Sequence, residues 1–131
     1  MIPRTDQSGR VLDLRCHDGH LTGLDIRDSE IELRFRRVDG TTVRTVLHGI
    51  RNFAMDRFLE GNIVDAAYAW LVAAAPKSQR HSASEMFLCR ESFLDQKNDF
   101  GADKLFLLES SYGAKACALV RGIEIIDGQI S

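Results

Sequence analysis

The sequence lacks the features that mark several large classes of protein. No apolar run reaches the roughly 18 residues that a membrane-spanning helix needs, and Met1–Asp6 has no apolar stretch like that of a signal peptide. The 17 basic and 19 acidic residues give a net charge of −2, so there is no basic excess for binding nucleic acid. We therefore expect a protein without membrane spans, classical secretion or strong nucleic-acid binding.

The cysteines are also few, and they follow no known spacing. Cys16, Cys89 and Cys117 are odd in number and far apart, which excludes a disulfide scaffold, and no pair has C-x-x-C spacing. We interpret them as free thiols in a reducing compartment, which favours a cytoplasmic location. The sequence has no Gly-rich phosphate loop, no H-E-x-x-H motif and no paired carboxylates, so it predicts no cofactor.

The 131 residues, of which 44% are hydrophobic and 27% charged, suit one globular domain spanning residues 1–131. Residues 11–49 carry three turn signals, between which apolar and polar residues alternate with period two. This pattern predicts a four-stranded antiparallel meander, with strands at about 11–16, 20–27, 30–37 and 41–48. The fold class predicted for the whole chain is α+β or mainly β.

The register of the meander follows from keeping one face apolar. A two-residue loop at Asp28-Ser29 sets Ile26 opposite Ile31. A three-residue loop ending in a left-handed Gly40 sets Phe35 opposite Val43, and a similar loop at 17–19 sets Leu12 opposite Leu24. The predicted inner face is Leu12, Leu14, Cys16, Leu24, Ile26, Ile31, Leu33, Phe35, Val43 and Leu47. The predicted outer face is Asp13, Arg15, Asp25, Arg27, Glu30, Glu32, Arg34, Arg36 and Arg44.

The pattern is weaker after the meander. Residues 49–61 suit an irregular strand or loop, and the alanines of 62–75 favour a helix that ends at Pro76, with a strand as the alternative. A polar loop at 77–84 and a short helix at 84–95, again with a strand alternative, complete a mainly helical segment over 62–95. Strands return in a C-terminal hairpin over 104–127, which turns at 111–113. We expect the Ala-rich segment to pack against the inner face of the sheet.

One candidate site is the first predicted loop. In the predicted register Cys16 and His20 lie opposite each other, and His17 and Asp18 lie in the loop between them. Thiolate and imidazole are zinc ligands, and a Cys–His pair is a nucleophile pattern. However, the set is incomplete for a structural zinc, and an inward-facing thiol is inert packing. The loop is therefore interpreted as turn chemistry, with no catalytic or metal residue assigned and His17 and His20 kept as binding candidates.

Two further groups are candidates for ligand or partner binding. Arg34, Arg36 and Arg44 form an arginine cluster on the predicted outer face, where Arg34 lies opposite Arg44. The cluster is either an anion site or a solvated face neutralised by the neighbouring acids, and the second interpretation is favoured by the net charge. Tyr112 is predicted to be exposed at the tip of the C-terminal hairpin.

Three turn motifs, His17-Asp18-Gly19, Phe58-x-x-Gly61-Asn62-Ile63-Val64 and Ser111-Tyr112-Gly113-Ala114, give the chain a loose resemblance to a protein family. It resembles small bacterial β-rich proteins of the immunity-protein kind, which bind and block a partner toxin. The resemblance implies an antiparallel β-rich fold and a protein-binding role, and it transfers no catalytic residue.

The function predicted from the sequence is a non-enzymatic protein-binding or interaction module, with a protein partner or a second copy of the chain as its ligand. One alternative is a small-ligand binder with a pocket between sheet and helix. The other is a small enzyme or metal protein that uses Cys16, His17 or His20.

Overall fold

A computed structural model describes residues 1–88, 94 and 100–128. Its strands are β1 (His20–Arg27), β2 (Glu30–Arg36), β3 (Thr42–His48), β4 (Asn52–Asp56), β5 (Asn62–Leu71), β6 (Lys104–Tyr112), β7 (Lys115–Val120) and β8 (Gly122–Asp127). A 3₁₀ turn (Val72–Ala74) and one helix, α1 (Lys77–Met86), follow β5. The fold is mainly β, as predicted, and no described helix is long and apolar enough to cross a membrane.

The eight described strands form one antiparallel sheet in the order β4-β7-β6-β5-β1-β2-β3-β8. We divide it into a covered half, β4-β7-β6-β5, and a bare half, β1-β2-β3-β8. The contact between the halves is short, because β1 and β5 pair only at His20–Ile63 and Leu21–Asn62. The chain also links the halves, since three residues separate β3 from β4 and a single residue separates β7 from β8.

The second and third hairpins have the predicted registers. Ile26 pairs with Ile31, Phe35 with Val43, and Arg34 with Arg44. Gly40 has a left-handed φ of 88°, which a glycine adopts without strain. Turn chemistry and period-two alternation thus fixed the pairing of β1, β2 and β3.

The predicted first strand is wrong. Residues 11–16 form no strand and do not pair with β1; the N-terminal segment runs along the edge of β5 instead, where Val11 N–H bonds to the Ala67 carbonyl and Asp18 N–H to the Val64 carbonyl. Leu12 and Ile26, both expected on the inner face, are exposed, and Leu24 is half-buried. A bulge beside Leu21 shifts the register of β1.

The helical prediction for 62–95 is wrong in most of its described part. Residues 62–71 form β5, the strand alternative, so Ala66, Ala67 and Ala69 belong to the sheet itself, whereas residues 73–75 lie in and just after the 3₁₀ turn. The predicted polar loop at 77–84 lies inside α1, which begins after Pro76 and ends at Met86, so residues 84–86 are the part of the predicted second helix that belongs to α1. The strands predicted over 104–127 are confirmed as β6, β7 and β8. Within residues 49–61, predicted as an irregular strand or loop, residues 52–56 form β4. Half of the residues of the predicted 84–95 helix lie outside the described part of the chain.

Two apolar clusters hold the sheet. The first contains inward side chains of both halves, among them Phe35 and Leu47 from the bare half and Phe106 and Leu108 from the covered half. The second lies on the outer face of the covered half, where Leu105, Leu107, Cys117 and Leu119 meet Val72, Ala83, Phe87, Leu94 and Phe100. The covered half is therefore buried on both faces and the bare half on one.

Two buried charged side chains, Arg37 and Asp103, connect segments of the chain at the ends of strands. Arg37 donates to the carbonyls of Asp13 and Leu14 and makes a two-pronged ion pair with Asp127, 2.7 and 3.2 Å long, which ties the N-terminal segment to β8. Asp103 is ion-paired with Arg51 and with Arg121, the residues that border β4 and join β7 to β8. Each buried charge is compensated by partners, as burial requires.

Candidate functional site

The N-terminal segment arches away from the edge of β5 over residues 12–17, where the first predicted loop begins. Between the two bonds that join the N-terminal segment to Ala67 and Val64 lie six residues of the segment but only two of the strand, which leaves a pocket of about 200 Å³. His17 lines this pocket, and its Nδ1 lies 3.0 Å from the Asp65 carbonyl, to which it donates because a carbonyl only accepts. The His17 side chain therefore links the N-terminal segment to β5 between the two backbone hydrogen bonds that join them.

Cys16 does not have the environment of a nucleophile. Its side chain is buried, its Sγ donates to the Leu14 carbonyl at 3.3 Å, and burial raises the pKa of the thiol to about 12. The predicted alignment with His20 is lost, because the hairpin on which it rested is absent and His20 lies in β1 opposite Arg36 and Ile63. No group of three or more metal-ligating side chains occurs among the described residues.

The predicted arginine cluster lies on the bare outer face, where acids neutralise two of its three members. Arg34 is 2.5 Å from Asp25 and 3.4 Å from Glu32, and Arg44 is 2.9 Å from the other oxygen of Glu32. Arg36 is exposed and makes no ion pair with any described residue. This arrangement agrees with a solvated, internally paired face, and it leaves little uncompensated positive charge for an anion.

His48 lies on the same face in a setting that the sequence did not predict. Its Nδ1 is 3.0 Å from Glu30 and its Nε2 is 3.2 Å from Glu124. The two carboxylates lie on opposite sides of the ring, so they cannot share one metal ion with it. With one ring nitrogen facing each carboxylate, His48 of β3 lies between Glu30 of β2 and Glu124 of β8.

A different kind of site forms where β5 begins. Asn62 is 1% exposed, and its Oδ1 accepts the N–H of Leu59 at 2.8 Å and of Ala114 at 2.9 Å. Its Nδ2 donates to the Leu21 carbonyl at 3.4 Å. One side chain thus joins the β4–β5 loop, the β6–β7 turn and β1. Gly113 contributes to this close packing, because a Cβ at that position would overlap Oδ1 of Asn62.

The two turns that Asn62 joins expose large apolar side chains. Phe58 is 46% exposed, Leu59 42% and Tyr112 53%. We call these three residues the Asn62 patch. Of the residues predicted from the sequence, the patch contains Tyr112, whose exposure at a turn is confirmed. Phe58 occurs in one of the turn motifs that carry the resemblance, but neither Phe58 nor Leu59 was predicted as a binding residue.

The backbone at the patch is constrained as well as tied. Arg57 has a left-handed φ of 60°, which is uncommon for a residue with a side chain, and Gly61 and Gly113 are also left-handed. For a residue with a side chain, such as Arg57, this conformation persists only where the surrounding structure holds it. Asn62 anchors the loop that carries Phe58 and Leu59 through the Leu59 N–H.

Comparisons with protein-family models, curated proteins and solved structures found no match to this chain.

Proposed function

We propose that the protein is a non-enzymatic binding module and that the Asn62 patch contacts its protein partner. The observation that carries the proposal is that a buried asparagine holds two separate turns together so that Phe58, Leu59 and Tyr112 face solvent. Large apolar side chains gain free energy by leaving water, and aromatic residues are enriched among those that dominate protein interfaces. A turn that needed only to reverse the chain would suit small polar residues.

The rigidity of the patch supports the same proposal. A partner that binds flexible loops must offset their loss of conformational freedom, whereas loops already fixed by hydrogen bonds lose little. The hydrogen bond from Leu59 to Asn62 anchors the β4–β5 loop before any partner arrives, and the bonds of Asn62 to Ala114 and Leu21 connect that anchor to the β6–β7 turn and β1. A protein-binding role also agrees with the resemblance to immunity-type proteins, because two of this chain's turn motifs that carry the resemblance contain Gly61-Asn62 and Tyr112-Gly113.

An enzymatic role is less well supported. A thiol with a pKa near 12 carries almost no thiolate at neutral pH, and this applies to Cys117 as well as Cys16. We expect both cysteines to react with iodoacetamide in the native protein at least about 100-fold more slowly than after unfolding in urea, best measured in a Cys89→Ser background. Fast native alkylation of Cys16 would revive the thiol-enzyme alternative.

As part of the proposal, the module works in a reducing compartment such as the cytoplasm.

The proposal is tested by capture with matched variants. Immobilised wild-type chain, a Phe58→Ser/Tyr112→Ser variant and a Leu71→Ser control are each exposed to lysate of the source cells, and the bound proteins are identified. Leu71 is a suitable control because it is 48% exposed, like the patch residues, but lies at the far end of β5.

The expected result is a protein that wild type and the Leu71→Ser control retain and the patch variant loses. That protein must then bind the purified chain directly, with an affinity at least about tenfold weaker for the patch variant. Equal binding by wild type and the patch variant would refute the proposed site. Unchanged thermal unfolding of all three proteins excludes misfolding as the cause.

A further inference from the structure

The outer edge of β1 is unpaired along most of its length. β1 pairs with β2 from His20 to Arg27, but with β5 only through His20 and Leu21, and no described residue outside β2 makes a backbone hydrogen bond to Thr22–Arg27. In a hairpin closed by a two-residue loop the flanking pair, Arg27 and Glu30, bonds across the hairpin, so the N–H and C=O groups of Leu24 and Ile26 point to the open edge. These groups are available to another strand.

Other edges of the sheet are protected by the chain itself. Met1 exchanges two backbone hydrogen bonds with Ile125 of β8, and the N-terminal segment follows the edge of β5. β4 also has a single partner strand, but it is five residues long and its apolar side chains are half-buried. β1 differs because its edge carries Ile26, which is 67% exposed. Exposed apolar edge strands recruit further strands.

We infer that the open edge of β1 pairs antiparallel with β1 of a second copy of this chain, centred on Ile26. This register sets Ile26 opposite Ile26 of the second copy on one face. On the other face it sets Asp25 opposite Arg27 of the second copy and Arg27 opposite Asp25, which gives two ion pairs by symmetry. The inference concerns a surface other than the Asn62 patch and does not depend on the proposed partner.

The charges of β1 favour this register over one centred on Asp25. Pairing centred on Asp25 would set two carboxylates directly opposite each other, which is destabilising. Arg27 has no ion pair with any described residue, so its charge is available to the second copy. Asp25 already accepts Arg34 at 2.5 Å, but a carboxylate has four lone-pair sites and can accept a second arginine.

The experiment measures self-association of the full chain by sedimentation equilibrium over a concentration series. We expect a reversible dimer for wild type, and dimerisation about tenfold weaker for Asp25→Lys alone and for Arg27→Glu alone, because each sets like charges opposite each other. An equimolar mixture of the two variants is the decisive sample. In the mixed dimer the introduced lysine of one chain faces the introduced glutamate of the other, while the unchanged Arg27 of the first chain faces the unchanged Asp25 of the second. Affinity therefore returns to near the wild-type value.

Three outcomes would overturn the inference. One is a wild-type protein that stays monomeric at every concentration. Another is a dimer that neither single variant weakens, which would place the interface elsewhere. The last is weakened single variants whose mixture is not restored, which would exclude this register. Because the mixture contains the same two chains as the single samples, loss of folding cannot imitate its recovery, and the Phe58→Ser/Tyr112→Ser variant should dimerise like wild type.

Discussion

The two halves of the sheet differ in what lies on their outer faces. On the covered half, Leu105, Leu107 and Leu119 face the apolar cluster that includes residues of α1. On the bare half, equivalent outward positions carry Glu32, Arg34 and Arg44 in a network of ion pairs. The same antiparallel ladder is thus stabilised on one side mainly by burial of apolar area and on the other by a single buried face with charges left in water.

The difference shows where this protein can tolerate change. A buried leucine contributes through the water that it excludes and through close packing, so its loss leaves a cavity. A surface ion pair contributes little, because water and salt screen it. Outward side chains of the bare half can therefore vary at low cost in stability, whereas the covered half is constrained by folding on both faces.

The largest expected effect comes from breaking the covered half. Leu107→Ala should lower the free energy of unfolding by about 3 kcal/mol, because the leucine is almost fully buried in the outer apolar cluster and its truncation leaves a cavity there. The matched change on the bare half, Arg44→Ala, should cost less than about 1 kcal/mol. Urea denaturation of both variants measures the comparison. Equal losses would mean that the two outer faces are not energetically different.

The next largest effect tests the corner where the N-terminal segment meets the bare half. Arg37→Ala should cost about 2–3 kcal/mol, because the carbonyls of Asp13 and Leu14 lose their buried donor and Asp127 loses its partner. Arg36→Ala is the control: the neighbouring arginine is exposed and should change stability by less than about 0.5 kcal/mol. A loss at Arg36 as large as at Arg37 would count against this role.

The same division explains what could be predicted from the sequence. In the bare half, the pairing of β2 with β3, and of β1 with β2 from Gly23 onward, was predicted to the residue, because one solvent-exposed face preserves the period-two pattern. In the covered half both faces are buried, so Leu105–Leu108 appears as a continuous apolar run without a period, and the alanines of β5 imitate a helix. Residues 11–16 alternate like a strand, but the segment lies beside β5, a distant part of the chain, and not beside the neighbouring β1.

The candidate site was predictable only in part, for a related reason. Tyr112 was expected at an exposed turn because turn residues surround it in the sequence. The role of Asn62 depends on the backbone of Leu59, Ala114 and Leu21, which come together only in the folded sheet. No local pattern marks an asparagine for such contacts, and its chemistry alone suits an ordinary turn.

A smaller effect is expected when a buried asparagine that joins three segments is compared with a half-buried asparagine. Asn62→Ala should cost about 2 kcal/mol and make the β4–β5 loop more sensitive to proteases, because the N–H groups of Leu59 and Ala114 lose their acceptor. Asn52→Ala is the control, since Asn52 is half-buried and, among the described residues, its side chain bonds only to the adjacent Phe53 N–H. Denaturation and limited proteolysis of both variants measure the difference. An Asn62→Ala protein that unfolds and digests like the control would remove the structural basis of the patch.

The smallest expected effect is a pH dependence at the Arg37 corner. The hydrogen-bonded ion pair with Arg37 lowers the pKa of Asp127 from its ordinary value. Asp127 therefore stays ionised to a lower pH in the folded protein than in the unfolded chain. The stability from this pair is complete above the unfolded-state pKa near 4 and is lost as the pH falls through the lower folded-state pKa. Urea midpoints measured from neutral pH to pH 3 should therefore fall less steeply in Arg37→Ala than in wild type or Arg36→Ala. Because Asp127 is partly exposed, the change in slope should be modest, and parallel profiles for all three proteins would show that the pair contributes no acid sensitivity.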